Sequence, residues 1–320
     1  MVRYADILQA RDTIGGLVRK TPLFTSRTLD DRLQARCFLK AENLQRTGSF
    51  KFRGVCNRLS HLPPKMKEKG VITHSSGNHA QALALAGVLL KIRVVVVMPA
   101  NAPGVKVRAV EGYGARVVRC ENSMRSRETV CGKLVRKHGY TLVHGYDDDL
   151  IIAGAGTVAL EFLEAQKKLD FLFSPLGGGG LLSGTVLAAR GFDPPCRVIG
   201  VEPELADDGF RSLRDGRIYP SDYPDTIADG LRTSLCQRTF SILQKGVDQI
   251  ITVSDDQIVR AMKFLWERMK LVAEPSGAVA LAGMMARQDL LAGKAAGAII
   301  SGGNLDLDSF FDEYFRRIHR

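Results

Sequence analysis

Four consecutive glycines form the most specific chemical signal in the chain. The segment Ser174-Pro175-Leu176-Gly177-Gly178-Gly179-Gly180-Leu181-Leu182-Ser183-Gly184 follows a strand-like stretch and opens a helix-like one. Glycines let a backbone approach an anion closely, and free N–H groups at a helix start bind phosphate. No register of the segment satisfies G-x-G-x-x-G, and no Lys follows the loop as G-x-x-x-x-G-K-[ST] requires. A phosphate cup outside the dinucleotide class is the reading adopted, with a plain strand-to-helix turn as the alternative.

Four further segments carry chemistry. In Ser49-Phe50-Lys51-Phe52-Arg53-Gly54, Ser49 suits an N-cap and places Lys51 in the first helical turn. The positive field there disfavours the ammonium form, and a lysine so tuned can form a Schiff base with an aldehyde. An ordinary solvated lysine fits the same residues. In His74-Ser75-Ser76-Gly77-Asn78-His79-Ala80-Gln81, hydroxyls and N–H groups converge on a helix start and could grip a carboxylate. A serine cap beside a surface His79 is the alternative. Ser301-Gly302-Gly303-Asn304 ends an apolar run, where the Ser301 hydroxyl could meet a ligand ring nitrogen or serve a simple turn. Glu202 and Asp208, six residues apart, suit a hard divalent cation or a solvated acidic helix start.

These segments need elements to hold them. Strands are expected at Val71–His74, Ile92–Met98, Ala115–Cys120, Tyr140–His144, Phe171–Pro175, Arg197–Glu202, Gln249–Val253 and Ala296–Ser301. Helices are expected at Asn78–Leu90, Pro103–Tyr113, Met124–His138, Gly180–Arg190, Asp256–Leu271 and Ser276–Arg287. The alternation predicts an α/β protein with mainly parallel sheets and ligands at the strands' carboxyl ends. The run 69–146 is long enough for a small domain, so 1–68 and 147–320 would join as a larger, discontinuous one.

The 320 residues include 45 Lys and Arg against 34 Asp and Glu, a net charge of +11. The basic residues are dispersed and aromatic residues make up only 7%, which argues against a nucleic-acid partner and for anionic small ligands. The longest apolar runs reach roughly half the ~20 residues of a membrane span, and the start of the sequence has no apolar signal-like stretch. A soluble, cytoplasmic protein without a membrane partner is expected. Six cysteines, at 37, 56, 120, 131, 196 and 236, are scattered like buried thiols of a reducing compartment.

Taken in order, the segments resemble the fold-type-II pyridoxal-phosphate enzymes, and within them the serine racemase and threonine (serine) dehydratase branch. The resemblance implies the tryptophan synthase β-like fold, two open twisted mainly parallel sheets flanked by helices. It implies that Lys51 carries pyridoxal 5'-phosphate, flanked by Phe50, and that Gly177, Gly178, Gly179, Gly180 and Leu181 hold the phosphate. Asn78 would contact the cofactor's 3-hydroxyl, Gly230 of Thr226-Ile227-Ala228-Asp229-Gly230 would lie against its ring, and Ser301 would meet the ring nitrogen. Ser75, Ser76, Asn78, His79 and Arg127 fall at substrate-binding positions. Ser76 stands where racemases of the family carry a serine opposite the lysine. Glu202, Ala206 and Asp208 match a metal segment for Mg2+ (or Ca2+ or Mn2+). Gln81, Tyr113, Lys270 and Asn304 match a nucleotide (ATP) effector site between subunits, which implies a homodimer.

Two segments, and Arg46 at a lysine position of the nucleotide site in animal racemases, depart from the racemase pattern. His144-Gly145-Tyr146-Asp147-Asp148 is closer to the dehydratase form, and Gly154-Ala155-Gly156 replaces a family G-Q-G. The expected activity is chemistry at Cα of serine-like β-hydroxy amino acids, as a serine racemase that also eliminates water to give keto acid and ammonia. The alternative is a dedicated ammonia-lyase for L-threonine, L-serine or threo-3-hydroxyaspartate.

Overall fold

The computed structural model describes residues 1–102, 104–222, 224–307 and 310–312. Its strands are β1 (Leu23–Phe24), β2 (Arg36–Ala41), β3 (Val71–His74), β4 (Val94–Pro99), β5 (Arg116–Cys120), β6 (Thr141–Leu142), β7 (Phe171–Pro175), β8 (Arg197–Pro203), β9 (Gln249–Val253) and β10 (Ala295–Ile300). They form two sheets, ordered β1-β2-β10-β7-β8-β9 and β5-β4-β3-β6. Every pairing is parallel except β1 with β2. Parallel strands are covered on both faces and so read as continuous apolar runs. β4, Val94-Val95-Val96-Val97-Met98-Pro99, is buried at every position. The expected α/β architecture of two mainly parallel sheets is the one observed.

Local chemistry explains the helix ends. The helix Met124–His138 starts where Ser123 Oγ accepts from Ser126 N at 3.0 Å and stops at Gly139, whose φ is 70°. Arg136, Lys137 and His138 fill its last turn, where cations meet the negative end of the dipole. Asp148 caps the helix Asp149–Ala165 through the N–H groups of Leu150 and Ile151.

That helix, buried along most of its length, is the spine of the molecule. Gly54 and Gly154 bring it against the helix Lys51–Ser60, since a Cβ on Gly154 would lie 2.7 Å from Arg53 O. Gly156 and Gly184 do the same against the helix Gly180–Gly191. The Gly-Ala-Gly run therefore spaces the lysine helix from the glycine-loop helix, which offsets the roughly 1 kcal/mol that each mid-helix glycine costs.

Several expected bounds move. β6 is only two residues long; Val143 N still donates to Ile72 O at 2.9 Å, and the chain leaves the sheet after it. The helix expected to run to Leu271 ends at Phe264 and continues as a π-helical turn, Leu265–Met269. The helix expected from Pro103 begins at Gly104, and Pro103 lies outside the described residues. The apolar face of the Lys51 helix (Phe52, Val55, Cys56, Leu59) shares a core with Val71, Val94 and Val96 of the four-stranded sheet. Among the described residues no helix is long and apolar enough to cross a membrane. Five cysteines are buried and Cys236 is half-buried, all as free thiols.

Candidate active site

Lys51 is the first residue of its helix, but Ser49 does not cap it. Ser49 sits in extended backbone (φ −160°) paired with Gly302, and its buried hydroxyl has no hydrogen-bond partner. Phe50 precedes the first helical residue instead, and its N–H donates to Ser301 O at 3.0 Å. The lysine segment is thus fastened to the Ser301 turn by backbone. The half-buried Lys51 donates from Nζ to Gly145 O at 3.0 Å and lies 5.0 Å from the Phe50 ring centroid. Burial lowers its pKa to about 8, the direction expected from sequence through a different cause.

The glycine loop faces the lysine segment through Tyr146. A Cβ on Gly178 would fall about 2.5 Å from Tyr146 ring carbons, and one on Gly180 would lie 2.9 Å from Tyr146 Cβ. Gly179 has φ 85°, the left-handed region that side chains disfavour. Among the described residues no backbone acceptor takes the N–H groups of Gly177, Gly178 or Gly179. Free donors at a twelve-residue helix start, in a cradle any side chain would fill, fit a phosphate.

Asn78 and Ser301 stand on one polar network. Asn78 Nδ2 donates to Glu274 Oε1 at 2.6 Å, and Asn78 Oδ1 accepts from Asn304 Nδ2 at 2.8 Å. Asn304 Nδ2 also donates to Thr47 O at 2.6 Å. Ser301 Oγ lies 3.4 Å from Ser276 O, and Ser276 Oγ accepts from Gly230 N at 2.9 Å.

His79 is buried rather than on the surface. Its Nε2 meets Val143 O at 3.0 Å, its Nδ1 has no partner, and burial with the Lys51 charge pushes its pKa down to about 3. His74 and His144, with ring centroids 6.4 Å apart, are also held below the usual histidine range by burial. Half-buried Arg127 stands near enough to His74 to oppose its protonation, and Arg127 Nε has no partner. Ser75 and Ser76 are half-buried in the turn before Asn78; Ser75 Oγ accepts from Gly77 N at 3.3 Å.

Glu202 and Asp208 are buried, which overturns the solvated-helix reading of that segment. Glu202 accepts from the N–H groups of Gly209 and Phe210 at 3.2 and 2.7 Å, while neither oxygen of Asp208 makes a hydrogen bond of ordinary geometry, the Ser221 side chain standing near enough only to lower its pKa somewhat. Burial pushes Asp208 up to about 6, and burial with the Asp208 charge drives Glu202 well above the carboxylate range. Two buried, repelling carboxylates beside Ala206 fit a divalent cation. No group of three or more His, Cys, Asp or Glu residues with metal-site geometry occurs among the described residues.

The four effector positions differ in their settings. Gln81 is buried, Tyr113 packs against the core of the four-stranded sheet, and Lys270 is exposed with Nζ bonded to Glu267 O at 2.6 Å. Only Asn304 joins the network around Asn78. Sequence reasoning missed Glu274, Gly145 and Tyr146 as site residues. An acidic residue directly before a proline-started apolar helix was the available signal for Glu274.

The sequence matches the family described as "Pyridoxal-phosphate dependent enzyme" over residues 14–302. It is 48% identical to an L-threo-3-hydroxyaspartate ammonia-lyase of Saccharomyces cerevisiae, covering 96% of this chain and 94% of that protein. It is 45% identical to a serine racemase of Schizosaccharomyces pombe, covering 96% and 95%. The crystal structure of serine racemase from Dictyostelium discoideum superposes with a TM-score of 0.91 at 43% identity, covering 95% of this chain and 99% of that one. With a free amine, a glycine cradle and a polar ring pocket in the family's order, the chain belongs to the pyridoxal-phosphate-dependent enzymes.

Proposed function

We propose that the protein is a serine racemase that also eliminates water from serine-like β-hydroxy amino acids. The observation that carries the Cα chemistry common to racemisation and elimination is the Lys51 amine, which is half-buried, without a carboxylate partner among the described residues, and lowered to about 8; the racemase part rests on Ser76 before the Asn78 helix. Such a lysine reaches its neutral, nucleophilic form near neutral pH. Pyridoxal phosphate, when bound, supplies an aldehyde for that amine and an electron sink for cleavage of the Cα–H bond. Gly177, Gly178, Gly179, Gly180 and Leu181 would hold the phosphate, and Asn78, Gly230 and Ser301 would set the ring. Ser301 would be a neutral partner for the ring nitrogen and would not hold it protonated as a carboxylate would.

Lys51 Nζ takes the Cα proton from one face. Ser76 Oγ returns a proton on the other face, which inverts the centre. Loss of the β-hydroxyl as water instead leads, after hydrolysis, to keto acid and ammonia. A tenfold bias between these outcomes is only about 1.4 kcal/mol.

A second reading, an ammonia-lyase for threo-3-hydroxyaspartate, is favoured by Arg127, whose unpartnered Nε and neighbour His74 suit a second carboxylate. Product analysis with L-serine, D-serine, L-threonine and L-threo-3-hydroxyaspartate, separating enantiomers from keto acids, tests both. Interconversion of serine enantiomers supports the first reading, and keto acid from hydroxyaspartate without interconversion supports the second.

The proposal extends to Mg2+ (or Ca2+ or Mn2+) on Glu202, Asp208 and the Ala206 carbonyl, supported by the Asp208 oxygens, which make no hydrogen bond of ordinary geometry. It includes a small domain at 69–146, supported by the separate four-stranded sheet, and a cytoplasmic homodimer, supported by the family resemblance alone. An ATP effector at Gln81, Tyr113, Lys270 and Asn304 is supported by the Asn304–Asn78 hydrogen bond, which links that position to the ring pocket.

A further inference from the structure

Glu274 is a buried carboxyl that no role above requires. It immediately precedes the helix Pro275–Ala286, an apolar helix buried over Pro275–Met284. Its backbone N–H donates to Gly302 O at 3.1 Å, and a Cβ on Gly302 would overlap Glu274 Oε1. The glycine beside Ser301 is therefore required by the carboxyl. The next residues face the same pocket: Ser276 Oγ accepts from Gly230 N, Ser276 O lies against Ser301 Oγ, and Gly277 O accepts from Ser301 N at 3.4 Å. The turn 274–277 thus touches Asn78, Gly230 and Ser301.

The Asn78 amide can make four hydrogen bonds, two from Nδ2 and two to Oδ1. Glu274 Oε1 takes one N–H and Asn304 Nδ2 fills one oxygen lone pair, which fixes the O and N ends of the amide. One N–H is left for an acceptor in the ring pocket. We propose that Glu274 is a positioning residue for the cofactor ring, acting through Asn78: it holds the amide so that this remaining N–H faces an oxygen carried by the ring. The inference rests on the pyridoxal-phosphate assignment of the pocket.

The charge state of Glu274 is part of the arrangement. Burial and the Asp229 charge raise its pKa to about 8, while Asn78 and Lys106 pull it down. Lys106 reaches across from the helix Gly104–Gly112 to bond Asp229 at 2.6 Å. At neutral pH the carboxyl is protonated and places no charge beside the ring; above pH 8 it does.

The test is a titration of the holoenzyme's visible absorption between pH 6 and 10, with the pyridoxal phosphate dissociation constant measured by equilibrium dialysis. Wild type is expected to show a band transition near pH 8. Glu274→Gln keeps an oxygen acceptor for Asn78, so its dissociation constant stays within about threefold while the transition disappears. Glu274→Ala frees the amide, weakens cofactor binding about tenfold and displaces the band at every pH. A transition that survives in Glu274→Gln, or a Glu274→Ala protein with wild-type band and affinity, overturns the inference. If Glu274→Ala does not fold, Glu274→Asp, one methylene too short to keep the 2.6 Å bond to Asn78, must weaken cofactor binding, and wild-type affinity in that variant overturns the inference. A wild-type chain that forms no visible band with pyridoxal phosphate overturns the cofactor assignment itself, and this inference with it.

Discussion

Lys40 and Lys51 leave the water in different company. Lys40, 1% exposed in β2, donates to Glu161 Oε2 and Thr21 O, both at 2.7 Å. Arg53 completes the cluster with Glu42 at 2.8 Å and Glu161 at 2.7 and 2.9 Å. Two cations meet two carboxylates, so the group is neutral, dry and satisfied. Lys51, two residues from Arg53, has only the Gly145 carbonyl. Burial lowers the pKa of both lysines, but at Lys40 the Glu161 charge opposes it, and at Lys51 nothing does. A buried charge balanced by the protein holds the fold, and one left unbalanced waits for a ligand. The Glu202–Asp208 pair follows the second pattern with the opposite sign.

The contrast is broken most severely by exchanging the roles. Lys51→Ala should abolish turnover and the visible cofactor band while the apo-protein folds normally, checked by absorption and circular dichroism. Ser76→Ala should suppress interconversion of serine enantiomers by roughly 10²–10⁴-fold, the usual contribution of a general acid–base group. Elimination from L-serine, which uses the lysine face, should survive far better; equal loss of both would make Ser76 a binding residue only. Lys40→Met should leave Schiff-base formation possible but cost about 3–5 kcal/mol of stability, because it leaves Glu42 and Glu161 sharing Arg53 as their one cation. Denaturant unfolding of the apo-protein reads that cost.

The acidic pair sharpens the comparison with the smallest effect. Raised carboxyl pKa values mean that the folded state holds protons the unfolded state has lost. The associated stability is present below the unfolded pKa of about 4 and is lost as pH rises through about 6 at Asp208. Without divalent cation the melting temperature should therefore fall across that window. Mg2+ should restore it at pH 8 and do little at pH 5. Asp208→Asn should remove the Asp208 part of the slope, leaving that of buried Glu202, and abolish the Mg2+ response; a melting curve indifferent to Mg2+ at both pH values would leave the pair without a metal role.

The glycine loop, the lysine segment and the Ser301 turn stood out because each is a local pattern, though each also fitted a plain turn or a solvated side chain until the segments were taken together. β7, β9 and the helix Met124–His138 were placed to the residue, since composition and caps agree there. The Ser49 cap was misread because its backbone is committed to Gly302, a partner more than 250 residues away. β2, with its buried Lys40, and the glycine-containing spine helix Asp149–Ala165 went unassigned for a similar reason. A charge inside a strand and glycines inside a helix oppose local propensity, and only Glu161, Gly54 and Gly184 explain them. Glu274 was hidden likewise, its partner Asn78 lying 196 residues away.

Borohydride reduction of the wild-type protein with pyridoxal phosphate, followed by peptide mass mapping, tests the account most directly. Buried Lys40 and half-buried Lys51 differ by the presence or absence of a carboxylate partner, so the account predicts a single pyridoxyl adduct, on Lys51. An adduct on Lys40, on another lysine or on none would contradict it.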